Sequence, residues 1–198
     1  MFRTLLLVVV GVTTIWATDY NLVLEEPEIF SSCFNGLPGA IGIHEAINMD
    51  NLSMVMEGDG IDVSGNASVV LSFPSTDRIS SRFEVMKYNR GSWEPTVFNM
   101  LTPDFCDVMF DKDQYWYKYW FKYVRNREEI QEKCLKQKGT LLVMDPFVMV
   151  VRLEKISGPS LSGRYKGVFT FEIFDKNNVR RPTSLCFEIK GELEKIKN

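Results

Sequence analysis

The pattern that most constrains the fold is a strict alternation of apolar and polar residues near the end of the chain. Leu185, Phe187, Ile189 and Leu193 fall on one face of an extended segment, and mostly charged residues fall on the other. Side chains of a β-strand point alternately to opposite faces, so this pattern predicts a strand with one buried face. Further strands, separated by turn residues, are predicted over 52–57, 61–73, 79–88, 93–101, 140–144, 147–153 and 161–174.

These strands predict the fold class. Seven or eight strands with short turns and one helix are typical of a mainly β chain, an antiparallel two-sheet sandwich or cup. Residues 147–151 are apolar on both faces, so that strand is expected to be covered on both sides, and Asp145-Pro146 is expected to separate it from the strand before it. No repeat or linker interrupts 18–198, which is predicted to be a single domain.

An aromatic segment between Cys106 and Cys134 is the second constraint. Seven of the nine residues from 115 to 123 are aromatic. Acidic residues precede them and basic residues follow, which favours a helix with Lys118, Lys122 and Arg125 opposite Trp116, Trp120 and Tyr123. A strand remains open, since every odd position is aromatic. The segment is expected to be either ordinary core or the lid or wall of an apolar cavity.

The first 17 residues are typical of a secretory signal peptide. Arg3 is followed by an apolar run, Leu5–Val12, that is too short to span a bilayer, and Ala17 is a small residue at a plausible cleavage point. We therefore expect a secreted, extracellular protein without a transmembrane anchor. The net charge of −3 argues against nucleic acid or an anionic membrane as the main partner.

All four cysteines follow this leader, and an even number in a secreted chain predicts disulfides. Three pairings are possible, and the residues alone do not choose. Nesting is attractive, because Cys106–Cys134 would close the aromatic segment and Cys33–Cys186 would tie the two ends together. A zinc site is the weaker alternative, since the chain has no CxxC pair and a single histidine.

Two sequons predict N-glycosylation if they lie on the surface of a secreted chain. They are Asn51-Leu52-Ser53 and Asn66-Ala67-Ser68, and neither has proline in the middle. Motifs for catalysis are missing: His44 stands alone, no GxSxG is present, and the acidic residues near 57–62 lack EF-hand spacing. We therefore expect no enzyme activity, no cofactor and no bound metal.

Several long segments resemble the insect CheB chemosensory proteins, a secreted family related to the ganglioside activator protein and, more distantly, to ML lipid-recognition domains. They keep their order over nearly the whole mature chain. The segments are MDNLSMVMEGDGIDVSGN, RGSWEPTVFNMLTPDFCDVMFD, YWYKYW, Cys134 with Lys138-Gly139-Thr140, GRYKG at 163–167, and RPTSLCFEIKGELEKI. The resemblance implies a β-cup of two antiparallel sheets, opened into a cavity for lipid. It also implies the nested disulfides.

The function implied by this resemblance is to bind or present an apolar cue, a lipid or cuticular hydrocarbon pheromone, in the fluid of taste and pheromone-sensing hairs. The candidate wall residues are Trp93, Phe98, Trp116, Trp120, Phe121, Phe147, Phe169 and Phe171. Two alternatives stay open. One is a protein-binding module acting on a sensory-neuron receptor or channel, and the other is a lipid-presenting helper of a hydrolase.

Overall fold

Strands dominate the part of the chain that the computed structural model describes, which is residues 17–25, 29–58, 60–158 and 160–196. The predicted signal peptide lies outside the described residues except for Ala17. The strands are β1 Thr18–Leu24, β2 Ser31–Ser32, β3 Ala40–Ile41, β4 Ile47–Asn48, β5 Leu52–Glu57, β6 Gly60–Val69, β7 Arg78–Asn89, β8 Ser92–Thr102, β9 Leu141–Met149, β10 Arg152–Ile156, β11 Gly163–Phe174 and β12 Arg180–Lys195. The helices are α1 Ile43–Ala46, α2 Phe105–Val108, α3 Tyr115–Tyr119 and α4 Arg127–Lys133, with a 3-10 helix at Phe121–Tyr123.

The strands form two sheets. The larger sheet has the order β10-β1-β12-β11-β7-β8, and the short strands β2 and β3 pair along β12. In the smaller sheet, β6 pairs with β4, β5 and β9. Every pair is antiparallel except that of β3 with β12. The predicted fold class, mainly β with two antiparallel sheets and a disulfide-closed aromatic helical segment, is confirmed.

Hydrophobic residues form two separate clusters, and the larger one joins the two sheets. The larger cluster joins Ile79 and Ile173 of the large sheet to Val63, Leu142 and Met144 of the small sheet, together with buried residues of the helical segment. The smaller cluster, at the other end of the large sheet, is built on Tyr20, Tyr165 and Leu193. The inner face of the large sheet is thus closed at both ends by buried apolar side chains.

Two disulfides cross-link the chain in addition to the pairing of its strands. Cys33 is bonded to Cys186 and Cys106 to Cys134, each with Cα atoms 5.7 Å apart. These are the nested pairs that the sequence favoured and the family resemblance implied. The first anchors the segment before β3 to the outer face of β12, and the second joins α2 to the end of α4. Among the described helices, none has the length and hydrophobicity needed to cross a membrane.

Strand β9 corrects two predictions. It runs without a break through Asp145-Pro146, because its pairing with β6 absorbs the irregularity as a bulge opposite Val63 and Gly65. Bulges are a position where a strand tolerates proline, since the regular ladder of hydrogen bonds is interrupted there. The expected cover on both faces is also wrong. Val148 is 55% exposed, since only one face of the small sheet packs against the large one.

The aromatic segment is helical, as favoured, but in two short pieces. Helix α3 ends at Trp120, whose backbone φ of −136° and ψ of −68° are not helical, and the 3-10 helix follows. The Trp120 N–H still donates to the Trp116 carbonyl at 3.0 Å. This break turns Phe121 into the buried core while Trp116 and Trp120 stay half-buried. The strand alternative is wrong.

Candidate functional site

A row of phenylalanine rings lies on the inner face of the large sheet. The register of β11 with β7 and β12 places Phe169 directly opposite both Phe83 and Phe187. Ring centroids are 4.7 Å apart for Phe83 and Phe169, and 4.9 Å apart for Phe169 and Phe187. Phe171 extends the row, with its centroid 6.2 Å from that of Phe187. Phe83, Phe169 and Phe171 remain half-buried, although they point to the side where the two clusters pack. We call these four residues the ring row.

Gly167 allows the ring row to lie against the sheet. A Cβ atom at this position would come within 2.8 Å of Phe83 Cε2 and 3.2 Å of Phe169 Cε2. Such approaches are too close for a methyl group, so the rings would have to move. A glycine is therefore required here for the ring of Phe83 to fold over the backbone of β11.

Aromatic contacts continue from the ring row to the small sheet. Phe30 contacts Phe187 edge-on at 5.4 Å and Trp120 at 6.4 Å. Trp120 in turn contacts Phe147 of β9 at 6.1 Å, and Phe147 stacks on Tyr123 at 3.7 Å with nearly parallel rings. The edge-on contacts have the geometry that aromatic pairs favour. The aromatic segment therefore joins the two sheets along one side of the cup.

Phe105 holds Trp116 and Phe121 of the aromatic segment in place. Its side chain is 2% exposed, and its ring contacts those of Trp116, Phe121 and Phe171 at 5.2, 5.8 and 5.2 Å. Asp104 caps the short helix that carries it, accepting a hydrogen bond from the Cys106 N–H at 3.1 Å. The neighbouring disulfide, Cys106–Cys134, ties this helix to α4. Phe105 thus holds the segment against the ring row.

The eight predicted wall residues fall into two groups. Six of them belong to the connected aromatic contacts just described, namely Trp116, Trp120, Phe121, Phe147, Phe169 and Phe171. Phe121 and Phe147 are buried, and the other four are half-buried. Sequence reasoning missed Phe30, Phe83, Phe105 and Phe187 as members. The shared inward alternation of β7 and β12 would have found Phe83 and Phe187.

Trp93 and Phe98 lie apart from this group. Trp93 pairs with Tyr88 on the outer face of the large sheet, where the rings are 5.1 Å apart. Lys166 Nζ lies 5.0 Å from the Trp93 centroid and 2.7 Å from Glu188 Oε1, and this ion pair is buried. Phe98 is 49% exposed, beyond an irregularity in the pairing of β7 with β8. Trp93 therefore lies on the outer face, and Phe98 lies in the irregular part of β8, outside the connected aromatic contacts.

Charged side chains on the outer face are held by ion pairs. Arg164 lies 5.0 Å from the Tyr88 ring and donates to Glu25 Oε2 at 2.6 Å. This guanidinium lowers the pKa of the Glu25 carboxyl by hydrogen bonding and charge. Within the described residues, no cluster of three or more His, Cys, Asp or Glu side chains is arranged to hold a metal ion. The inner face is thus the aromatic side of the sheet, and the outer face carries the ion pairs.

The two sequons differ in exposure. Asn51 is exposed in the turn before β5, whereas Asn66 is half-buried within β6, opposite Val143 of β9. We expect glycosylation at Asn51 in preference to Asn66, because an oligosaccharide needs a freely accessible asparagine side chain. The measurement is the gel shift on enzymatic deglycosylation of protein secreted from eukaryotic cells. It should vanish in Asn51→Gln and persist in Asn66→Gln; the reverse pattern would contradict the prediction.

Comparison with known proteins gives one family match. The family described as protein of unknown function (DUF1091) matches residues 81–166. This range begins in β7, contains β8, the aromatic segment, β9 and β10, and ends in β11. A comparison with curated proteins found no match. The chain is therefore similar, over the part that carries the aromatic segment, to a family of unknown function.

Proposed function

We propose that this chain is a secreted protein whose β-cup binds or presents a lipid or another long apolar molecule. The observation that carries the proposal is the ring row, in which Phe187 is buried but Phe83, Phe169 and Phe171 stay half-buried on the inner face. Rings that served only as core would all be buried, as those of Phe105 and Phe121 are. The ring row instead leaves apolar surface on the inner face for a ligand to cover.

The physics of such a site favours long apolar molecules. Each CH₂ group transferred from water contributes about 0.8 kcal/mol, so an alkyl chain gains affinity with length and needs no ionic contact. Aromatic rings add flat surfaces, and a wall with few hydrogen-bonding groups discriminates weakly between neighbouring chain lengths. The ring row, extended by Phe30 and Trp120, supplies such a wall.

The two disulfides and the predicted leader support an extracellular role, since disulfides persist in oxidising compartments. The resemblance to CheB proteins suggests the biological setting. In that setting the ligand is a chemical cue, such as a cuticular hydrocarbon or lipid, carried or presented in the fluid around taste or pheromone-sensing neurons. The nested disulfides and two-sheet cup agree with the relationship to the ganglioside activator protein.

Removal of one ring should weaken binding. We expect Phe169→Ala to reduce the affinity for a fluorescent long-chain probe by about tenfold or more, since losing a large apolar contact costs about 1.5 kcal/mol or more. The matched control is Phe34→Ala, because Phe34 is 90% exposed and follows Cys33, whose disulfide lies on the outer face of the large sheet. Fluorescence titration gives the dissociation constants, and thermal melts verify that both variants are folded.

Native mass spectrometry of the secreted protein, followed by extraction, would identify the natural ligand. Failure of the wild-type protein to take up any long-chain probe, together with a bare mass after secretion, would contradict the proposal. Equal losses of affinity in Phe169→Ala and Phe34→Ala would move the binding site away from the ring row.

A further inference from the structure

A separate cleft lies where the aromatic segment meets the connection between the two sheets. Its volume is about 180 Å³, and it is lined on one side by Lys118, Tyr119, Lys122 and Tyr123. The opposite side is formed by the end of β9 and by β10. The Tyr119 hydroxyl donates to the Arg152 carbonyl at 2.7 Å and so links the two sides.

The cleft is cationic in a chain whose net charge is −3. Lys118, Lys122 and Arg152 line it, against one carboxylate, Glu154. Lys118 and Lys122 are four residues apart, and each ammonium group sits near a tyrosine ring, 5.3 Å from Tyr119 and 4.6 Å from Tyr123 respectively. Among the described residues neither lysine forms an ion pair. The Arg152 guanidinium donates from Nε to Asn21 Oδ1 at 3.1 Å, so the two lysines are the main source of positive charge for the cleft.

The side of the cleft formed by the end of β9 is apolar. Val148, Met149 and Val150 line it, and Tyr123 stacks on Phe147, which belongs to the aromatic contacts that lead to the ring row. The volume is below the roughly 300 Å³ at which pockets begin to hold a whole drug-sized ligand. A head group and the first carbons of a longer molecule fit these dimensions, and an entire lipid does not.

We propose that this cleft binds the anionic head group of an amphiphile, a carboxylate or phosphate, with Lys118 and Lys122 as its partners. The first carbons of the tail would lie on the valine and methionine side chains. This inference rests on the proposed function and narrows it: the preferred ligand is a long-chain acid, and a neutral hydrocarbon binds less tightly.

The test compares hexadecanoic acid with its methyl ester, which keeps the tail and removes the charge. We expect wild-type protein to bind the acid about tenfold more tightly, the order of effect for two solvent-accessible ion pairs. Lys118→Gln/Lys122→Gln should lose this preference and keep its affinity for the ester. The control Lys112→Gln/Lys138→Gln removes the same charge at two exposed positions that do not line the cleft, and it should keep the preference.

Each other outcome has a distinct meaning. Equal affinities of the wild-type protein for acid and ester, or a preference that survives in Lys118→Gln/Lys122→Gln, overturn the cleft assignment and leave the proposed function intact. If inorganic phosphate binds as tightly as the acid, the cleft is a site for free anions, and its assignment to an amphiphile is overturned. Binding of neither acid nor ester overturns the proposed function and the cleft together. Raising the salt concentration should reduce the preference, since it screens exposed charges.

Discussion

Replacing Cys33 and Cys186 by serine should lower the free energy of unfolding by about 5 kcal/mol, since their disulfide closes a loop of 153 residues. A typical domain is stable by about 5–15 kcal/mol, so the variant is expected to be largely unfolded near physiological temperature. The loss follows from the larger conformational freedom that the unfolded chain regains. Urea denaturation followed by circular dichroism gives the difference directly.

The second disulfide is the natural comparison for this experiment. Cys106→Ser/Cys134→Ser opens a loop of 28 residues, for which the same model gives about 3.5 kcal/mol. We expect the Cys33→Ser/Cys186→Ser variant to be the less stable of the two. A stability equal to that of the wild-type protein in either variant would contradict the loss expected from the unfolded chain's greater freedom.

Replacing Lys166 by methionine should destabilise the fold by about 3–5 kcal/mol, because it leaves the buried Glu188 carboxylate without its closest partner. The side chains of Lys166 and Glu188 are 8% and 4% exposed, and the ion-pair distance is 2.7 Å. Lys190 lies at 3.6 Å from the other Glu188 oxygen and compensates only in part. Thermal and urea unfolding measure the loss.

A double variant separates the cost of an unpaired charge from a loss of packing. Lys166→Met/Glu188→Leu removes both charges, and we expect it to recover most of the lost stability, since apolar residues often replace a buried pair without net cost. The exposed pair of Lys133 and Glu129 provides the control, and Lys133→Met should have little effect. A double variant as unstable as Lys166→Met alone would refute the explanation by unpaired charge.

Local patterns were sufficient to predict the faces of individual strands. The alternation in β12 placed Phe187 on one face of its strand with Ile189 and Leu193, and the pairing with β11 brings that face into the ring row. The aromatic segment is helical as favoured, although α3 has no acidic residue in its first turn and only Lys118 near its end matches the expected charge pattern. These inferences needed only neighbours in sequence.

Relations between distant strands were not predictable in the same way. Trp93 has the large aromatic side chain expected of a wall residue, but its pairing with Tyr88 places it on the outer face. This placement depends on the register of β7 with β8 and β11. The break expected at Asp145-Pro146 was wrong because a bulge against β6 accommodates it. The cationic cleft likewise combines Lys118 with Arg152, which the sequence separates and the fold brings to one cleft.

The glycine beneath the ring row has an evolutionary consequence. Position 167 is opposite Val85 and Ile189 and joins both neighbouring strands through its backbone, which other residues can also do. A larger residue there would lift Phe83 from the backbone and change the shape of the cup floor while the sheet stays assembled. Under the proposed function, a single substitution at this position would therefore allow related chains to bind different molecules.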